Sequence, residues 1–495
     1  MPFEKKAYQF KNKDYLKPLL LTSSGGGGHI TAITGIHSFL AQSVKTINIP
    51  LYNPVLFVEK PASVLRTRVW FGVKILHTPI IGFLMQFLLR WTPFPCLPDK
   101  RTLQNDIDAL SLKEKDRQRP YVDMLLDVYP SGYEYAAIWN IFQRNDNTSD
   151  LKKLVALQKH SDRENEEVVK VYFLNQLQQA ANNKAAYTEI ISTQPIGLRG
   201  LCNAVLAYNH WLHNQPHLQA SPILIHQYMT DLPTKGAVHF FNALASLERE
   251  QQEIINLYAL GISKEIIDYF FPNGAFFKGI FDLPVNENPM VRPELKNIQM
   301  DNSSNFYKPV RIALSGKAQA CWLNGGEVVA SILLGSQVGK DSIAYIKILL
   351  EKGVDKVFIF GGQNQNIQAG IVKMLSDCPD YREKIISLEY QSDAALTALM
   401  TRSNIVVIRG GGLCVMEQLA LNHNKEQLVL VHHANGVKGE LTSGISWEDD
   451  NVDALIAHLR VRGVHALKTN PAKAVHDLAQ MRRVQGNLEA NVEYQ

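Results

Sequence analysis

The chain has 495 residues, 46% of them hydrophobic and 20% charged. That is too long for one core and too ordinary in composition for a disordered or fibrous protein, so two or three globular domains are expected. Lys and Arg number 51 against 47 Asp and Glu, a net charge of +4, which argues against a general nucleic-acid footprint. The five cysteines, Cys96, Cys202, Cys321, Cys378 and Cys414, are scattered and lack CxxC spacing, so neither a disulfide framework nor a zinc site is expected and a reducing compartment fits.

The opening stretch, MPFEKKAYQFKNKDY, is too polar for a signal peptide. Then comes LLLTSSGGGGHITAI, residues 20–34. Residues 18–22 are short, apolar and bounded by breakers, and read as a buried strand. From His29 on, Ile30, Ile33, Ile36, His37 and Leu40 recur at helical spacing. Gly25, Gly26, Gly27 and Gly28 therefore form a turn between a strand and its own helix, where a ligand can approach the main chain closely. The amides and dipole of that helix favour an anion such as phosphate. Neither GxxxxGK[ST] nor a clean GxGxxG is present, and a purely structural turn is the competing reading.

KTINIPLY, residues 45–52, reads as a second strand. Between 60 and 101 stand seven basic residues, Lys60, Arg66, Arg68, Lys74, Arg90, Lys100 and Arg101, against one acid, Asp99. The apolar run inside this stretch, residues 69–91, is broken by Lys74, His77, Pro79 and Gln86, and no uninterrupted segment reaches the length of a bilayer span. Basic flanks and bracketing tryptophans suit a segment lying in a membrane interface, with Trp70, Lys74, Phe83, Leu84 and Trp91 as its contacts. A pair of core helices with a solvated basic face fits the same pattern equally well. Residues 102–118 read as an insertion or exposed helix, 121–129 and 132–142 as buried segments, and 164–183 as one long helix. TEIISTQP (188–195) reads as a strand, 200–212 as a helix, and PILIHQYMTDLPT (222–234) as a strand ending in the polar loop that holds Asp231. Residues 284–308, rich in proline, asparagine and serine, read as a linker.

The second half alternates more cleanly. Strands are expected in 328–337, 356–364, 383–390, 404–409 and 427–436, with helices over 339–352, 366–376, 393–402 and after the glycines of NIVVIRGGGLCVMEQLAL (404–421). Such alternation implies an α/β protein with a doubly wound parallel sheet in each half. Ligands on these sheets sit at the carboxyl ends of the strands, where the glycine turns fall. Two such domains with those ends facing would enclose a cleft.

These motifs resemble the two-domain GT-B glycosyltransferases, and within them the MurG and monogalactosyldiacylglycerol-synthase group of glycosyltransferase family 28. SSGGGGHITA is similar to that group's N-terminal glycine loop ending in histidine. IISTQP and MTDLPT resemble its next two strand-end motifs, and LLGSQVGKDS the Gly-Ser turn that opens its C-terminal domain. SDAALTALMTRSNIVVIRGGGLCVMEQLAL is similar to its donor-binding strand, turn and helix. The match comes in patches, and residues 60–165 lie outside it.

The resemblance implies two Rossmann-like domains facing a cleft. An acceptor-binding domain would span 1–290 with a helical or membrane-interface insertion at about 60–165, a nucleotide-sugar-binding domain 291–475, and a helix or tail 476–495. It further implies that the backbone at Gly411, Gly412, Leu413 and Cys414 meets a diphosphate, and that Glu417 binds ribose hydroxyls. Read from the residues alone, Gly410–Gly412 open a helix whose amides suit a pyrophosphate, while Glu417 is either a hydroxyl acceptor or an acid complementing the helix dipole. Gly335, Ser336 and Gln337 would line the same donor site, as would His433, Asn435 and Glu440 in the loop HHANGVKGE, with His432 a further candidate. Arg409 either balances leaving-group charge or pairs with an acid.

Glycosyl transfer needs a base for the acceptor hydroxyl, and His29 is the candidate, since a histidine at a helix N-terminus tends to stay neutral. Asp231 is a rival base, a residue orienting His29, or a turn-forming Asp. The expected activity is hexosyl transfer from a UDP-sugar to a lipid hydroxyl, with inversion and with neither metal nor cofactor, by a cytoplasmic protein docked peripherally on an anionic membrane. The alternatives are a soluble or protein acceptor, a nucleotide-sugar 2-epimerase, and a non-catalytic binding protein of the same fold. No nucleic-acid partner is expected.

Overall fold

The computed structural model describes residues 14–24, 28–50, 96–114, 118–145, 147–296, 309–314, 321–334, 341–361, 365–389, 391–421, 423, 425–433 and 446–478. They form two compact units. One takes the described residues up to Phe142 and from Asn147 to Val291, and the other takes those from Arg292 on together with 143–145.

The first unit runs β1 (Tyr15–Leu16), β2 (Pro18–Thr22), α1 (Gly28–Ser43), β3 (Thr46–Ile47), α2 (Lys100–Glu114), β4 (Val122–Asp123), α3 (Gly132–Arg144), α4 (Thr148–Glu164) and α5 (Glu166–Asn182). It continues with β5 (Glu189–Ser192), α6 (Leu198–His213), β6 (Ile225–Tyr228), α7 (Val238–Ala245), α8 (Arg249–Gln252), β7 (Ile255–Leu260), α9 (Lys264–Phe270) and β8 (Gly279–Leu283). Six strands pair in the order β4-β2-β5-β6-β7-β8, all parallel. Every residue of β2 and of β7 is buried, as expected of parallel strands covered on both faces. Leu19, Leu21, Ile190, Ile225 and Leu257 pack with Val169 and Phe173 of α5, Leu201 and Val205 of α6, and Phe240 and Phe241 of α7. From β2 the chain crosses to β4 on one side and returns to β5 on the other, so strand order reverses at β2.

The second unit runs α10 (Pro293–Lys296), β9 (Val310–Ile312), β10 (Cys321–Leu323), β11 (Val329–Leu333), α11 (Asp341–Glu351), β12 (Lys356–Phe360), α12 (Gln365–Asp377) and β13 (Ile385–Leu388). It continues with α13 (Asp393–Arg402), β14 (Ile405–Arg409), α14 (Gly412–Ala420), β15 (Leu428–His432), α15 (Ser446–Val461) and β16 (His465–Thr469). Its parallel sheet has the order β13-β12-β11-β14-β15-β16, and here the order reverses between β11 and β14. Ala330, Ile332, Val357, Ile359 and Leu430 pack with Tyr345, Ile346 and Leu349 of α11 and Ile367 and Ile371 of α12.

The two doubly wound parallel sheets expected from the alternation are both present. The helix expected over 164–183 is present as α5, Glu166–Asn182. It is set off from α4 at Asn165, whose side chain donates back to the Ser161 carbonyl at 2.8 Å. Three local expectations are corrected. Of 45–52, only Thr46–Ile47 is a strand, and it pairs with β1 outside the main sheet. The linker expected over 284–308 includes the helical turn α10. From Arg119 on, the stretch read as an insertion supplies β4 and buried residues of the first unit's core. Among the described residues no helix is long and apolar enough to cross a membrane. Trp70, Lys74, Phe83, Leu84 and Trp91 lie outside the described residues.

Candidate active site

In the first unit the polar residues gather where strand order reverses, at the carboxyl ends of β2, β5 and β6, the place where open α/β sheets bind ligands. β2 leads through Ser23 and Ser24 toward the glycine loop, of which Gly25, Gly26 and Gly27 lie outside the described residues and Gly28 is the first residue of α1. Ser24 is held by Asp123 at the end of β4. The Ser24 amide donates to Asp123 Oδ1 at 3.1 Å, and the Ser24 hydroxyl donates to Oδ2. Asp123 is fully buried and also accepts the amides of Leu125 and Leu126, each at 3.1 Å, capping a single π-helical turn, Met124–Val128. Its own amide donates to Asp127 Oδ2 at 2.6 Å, and Asp127 forms a buried ion pair with Arg119. Ser24, the last described residue before the glycines, is thus tied to β4 through Asp123.

His29 lies in the first turn of α1. Its Nδ1 is 2.7 Å from the Thr193 carbonyl oxygen and 3.1 Å from Thr230 Oγ1. A carbonyl only accepts, so Nδ1 carries the proton and Nε2 keeps its lone pair. Thr193 returns the contact, its hydroxyl donating to the His29 carbonyl at 3.2 Å. Burial pushes the imidazole pKa down; the Thr193 carbonyl and the charges of Asp231 and Asp123 pull it up more weakly, and His239 lowers it further. The result is a neutral ring with a fixed tautomer. Asp231, at the end of β6, acts on it through charge, and its Oδ2 bonds His239 Nε2 of α7 at 3.2 Å. At the end of β5, Gly197 adopts a left-handed φ of 69° as the cap of α6. Its amide donates at 3.1 Å to Asp162 of α4, which also accepts the Tyr129 hydroxyl at 2.6 Å.

In the second unit the turn from β14 into α14 sits beside the strand-order reversal. Gly411 caps α14 without a side chain, and a Cβ built on it would meet none of the described residues within 4 Å. Gly410 is a packing glycine, since a Cβ there would stand 2.4 Å from Val452 Cγ2 and 2.9 Å from the Glu448 carbonyl oxygen of α15. Gly412 and Leu413 begin the helix and are buried. The Cys414 thiol is pushed up to about 12 by burial, and by Glu417 next, so it stays protonated. Glu417 is buried on the same helix. Burial pushes its carboxyl up to about 7, against the pull of Arg292, whose Nε lies 3.4 Å from Oε1.

Arg409 ends β14 and is engaged by Glu448 of α15 at 3.2 Å, the acid pairing that was one of its two readings. His433 pairs with Asp449 of α15, and its amide donates to the Thr469 carbonyl at 2.8 Å. His432 lies between the Tyr345 hydroxyl, 3.0 Å from Nδ1, and Asp341, 3.4 Å from Nε2, and burial pushes it down to about 3. Gly335, Ser336, Gln337, Asn435 and Glu440 lie outside the described residues. Among the described residues no group of His, Cys, Asp and Glu is arranged to hold a metal ion.

Each unit therefore offers one chemical capability. The second has a helix start that no side chain caps among the described residues, with a carboxyl group on the same helix; the first has a neutral imidazole whose Nε2 can take a proton. Sequence reasoning missed Asp123, Thr193, Thr230, His239, Asp162 and Arg292. Asp123 had a signal, one of two carboxylates inside the apolar run YVDMLLDVY, which need partners when buried. Thr193 had none, because it acts on His29 through its backbone.

No protein-family model matches the chain, and no curated protein matches it. Among solved structures it is similar to MurG of Acinetobacter baumannii, at 10% identity over 95% of this chain and 91% of that one, with a TM-score of 0.37. It is similar to a protein from Listeria monocytogenes described as a UDP-N-acetylglucosamine 2-epimerase, at 9% identity over 63% of this chain and 70% of that one, with a TM-score of 0.36. It is also similar to the UDP-GlcNAc 2-epimerase of Neisseria meningitidis, solved bound to UDP-GlcNAc, at 11% identity over 64% of this chain and 96% of that one, with a TM-score of 0.28. At these scores the likeness is loose, and the residues themselves carry the functional reading.

Proposed function

We propose that this chain is a glycosyltransferase that moves a sugar from a nucleotide-sugar donor to an acceptor hydroxyl, with a UDP-sugar as donor and a membrane lipid as acceptor. The observation that supports it best is the start of α14, where Gly411 is the cap and, among the described residues, no side chain bonds the first amides. A Cβ on Gly411 would meet none of the described residues within 4 Å, and Glu417 stands on the same helix. Helix amides in such a turn hold a diphosphate and stabilise the charge it gains on leaving, so the step needs no metal ion. Glu417 accepts the ribose hydroxyls. Gly335, Ser336, Gln337, His433, Asn435 and Glu440 complete the donor side. His29 takes the acceptor's proton on Nε2 while Thr193 and Thr230 hold Nδ1, and Asp231 supplies negative charge that steadies the imidazolium as it forms. The anomeric configuration inverts in a single displacement.

The experiment is turnover of a panel of nucleotide sugars, followed by released nucleotide, with and without vesicles of anionic and neutral lipid. Release of UDP that requires vesicles is the expected result. Release with a soluble or protein acceptor alone moves the acceptor class. Interconversion of epimers without an acceptor replaces transfer with epimerisation. UDP binding without turnover of any donor leaves a binding protein.

A further inference from the structure

Arg292 begins the main segment of the second unit and immediately precedes α10. Its Nε lies 3.1 Å from Asp393 Oδ1, at the first position of α13, and 3.4 Å from Glu417 Oε1 in α14. One guanidinium thus stands between two carboxylates carried by two different helices. The sites differ in wetness, the Glu417 side chain being 8% exposed and that of Asp393 38%. Arg292 Nη1 and Glu417 Oε1 are buried without a hydrogen-bond partner among the described residues, so charge rather than a bidentate fork holds the pair. A single cation shared by two acids leaves the more buried one short of compensation. The donor reading gives no role to Arg292 or to Asp393.

We infer that Arg292 and Asp393 are positioning residues that act on Glu417 in opposite senses, setting whether it carries the negative charge with which it accepts nucleotide hydroxyls. Nucleotide binding by the second unit is then governed by one proton on Glu417. This rests on the reading of α14 as a nucleotide site. An ionised carboxylate accepts from both vicinal hydroxyls of a ribose, whereas a protonated one spends an oxygen as a donor. The electrostatics agree: burial raises the Glu417 carboxyl to about 7, Arg292 lowers it and Asp393 raises it. The Asp393 carboxyl is itself raised, by burial first, with Arg292 opposing and Glu294 of α10 adding. Among the described residues, four other charged or titratable side chains near α14 have partners of their own. On α15, Glu448 holds Arg409 and Asp449 holds His433. At the far end of α14, Arg462 donates to the carbonyls of Leu419 and Leu421, and His423 bonds Gln427 and the Gln418 carbonyl. Cys414, one turn back, remains a neutral thiol.

The test is calorimetry of UDP binding to the full chain across the neutral range, for wild type, Arg292→Met, Arg292→Lys, Asp393→Asn and Glu417→Gln. Glutamate-carboxyl carbon NMR of the same proteins without UDP runs in parallel, with the Glu417 signal assigned by its loss in Glu417→Gln. Wild-type affinity should be level above about pH 8 and fall about tenfold per unit of pH below about 7, the slope of one coupled proton. Arg292→Met should move the midpoint up by about a unit or more, Arg292→Lys should restore it, and Asp393→Asn should move it down. Glu417→Gln should abolish the dependence. Shifts in the same direction for Arg292→Met and Asp393→Asn, or no shift in either while both remain folded, would overturn the inference. Absence of UDP binding at every pH would instead overturn the nucleotide reading, and the carboxyl titration separates the two failures.

Discussion

The hydrogen bond from His29 to the Thr193 carbonyl sets a tautomer and, with burial, a charge. A ring whose pKa burial has lowered remains a competent base somewhat below its ordinary range. His29→Ala should lower turnover by about 10²–10⁴-fold with UDP affinity unchanged. The wild-type rate, limited by this base, should hold as pH falls through 6.5, the ordinary histidine value, and decline only below it. A His29→Ala variant that keeps its rate while Asp231→Ala loses it would pass the role of base to Asp231. His29 was legible in the sequence because a titratable ring followed four glycines. Its partner was not, since any residue at position 193 offers a carbonyl. His239 was equally hidden, because only the fold brings α7 to the end of β6.

At the scale of elements, the glycines of the α14 turn divide their labour. Gly411→Ala has ordinary backbone angles, φ −65° and ψ 138°, and open space around the new methyl group. It should leave the melting temperature close to wild type while weakening UDP binding, because the methyl group occupies ligand space. Gly410→Ala drives a methyl group into Val452 and the α15 backbone and should cost about 1–3 kcal/mol of stability, read by denaturant unfolding. Equal effects of the two would remove the distinction.

A second device of this scale is Asp162, half-buried on α4, its carboxyl raised to about 6 by desolvation against the hydrogen bonds of Tyr129 and Gly197. A carboxyl raised in the fold stays protonated there after the unfolded chain has lost its proton. Stability should therefore fall as pH rises from about 4 to about 6, by about 1.4 kcal/mol per unit, and then level off. Asp162→Asn should flatten that slope in urea unfolding series, and an unchanged slope would assign it to other groups. The strand, turn and helix of each switch point were legible because breakers separate a run of apolar residues from helical periodicity. β7 and β8 were not read as strands, although INLYAL (255–260) is wholly buried. A short apolar run carries no periodicity to separate strand from buried helix.

For the whole molecule, the division into two parallel-sheet units followed from alternation alone, whereas the membrane reading rests on charge and composition between 60 and 101. Its seven basic residues against one acid should attract anionic headgroups by about 1 kcal/mol per basic residue near the surface. The full chain should co-sediment with anionic vesicles at low salt and release at high salt. Replacing Arg66, Arg68, Lys74 and Arg90 with glutamine should weaken that attachment without altering UDP affinity. Indifference to anionic vesicles at every ionic strength would favour the soluble-acceptor version of the reaction.

The reversal of strand order at β2 has a cost during synthesis. β2 takes β5 as a central partner, Leu19 opposite Ile190, and the bond between Lys17 and Thr188 closes a separation of 171 residues. At roughly 5–20 residues per second on the ribosome, the nascent chain carries PLLLT without that partner for about 10–30 s. Closing so long a loop earns nothing until both strands are available, so the first unit assembles late and all together. Until β5 emerges, the strand that launches the glycine loop is also the segment most in need of a chaperone.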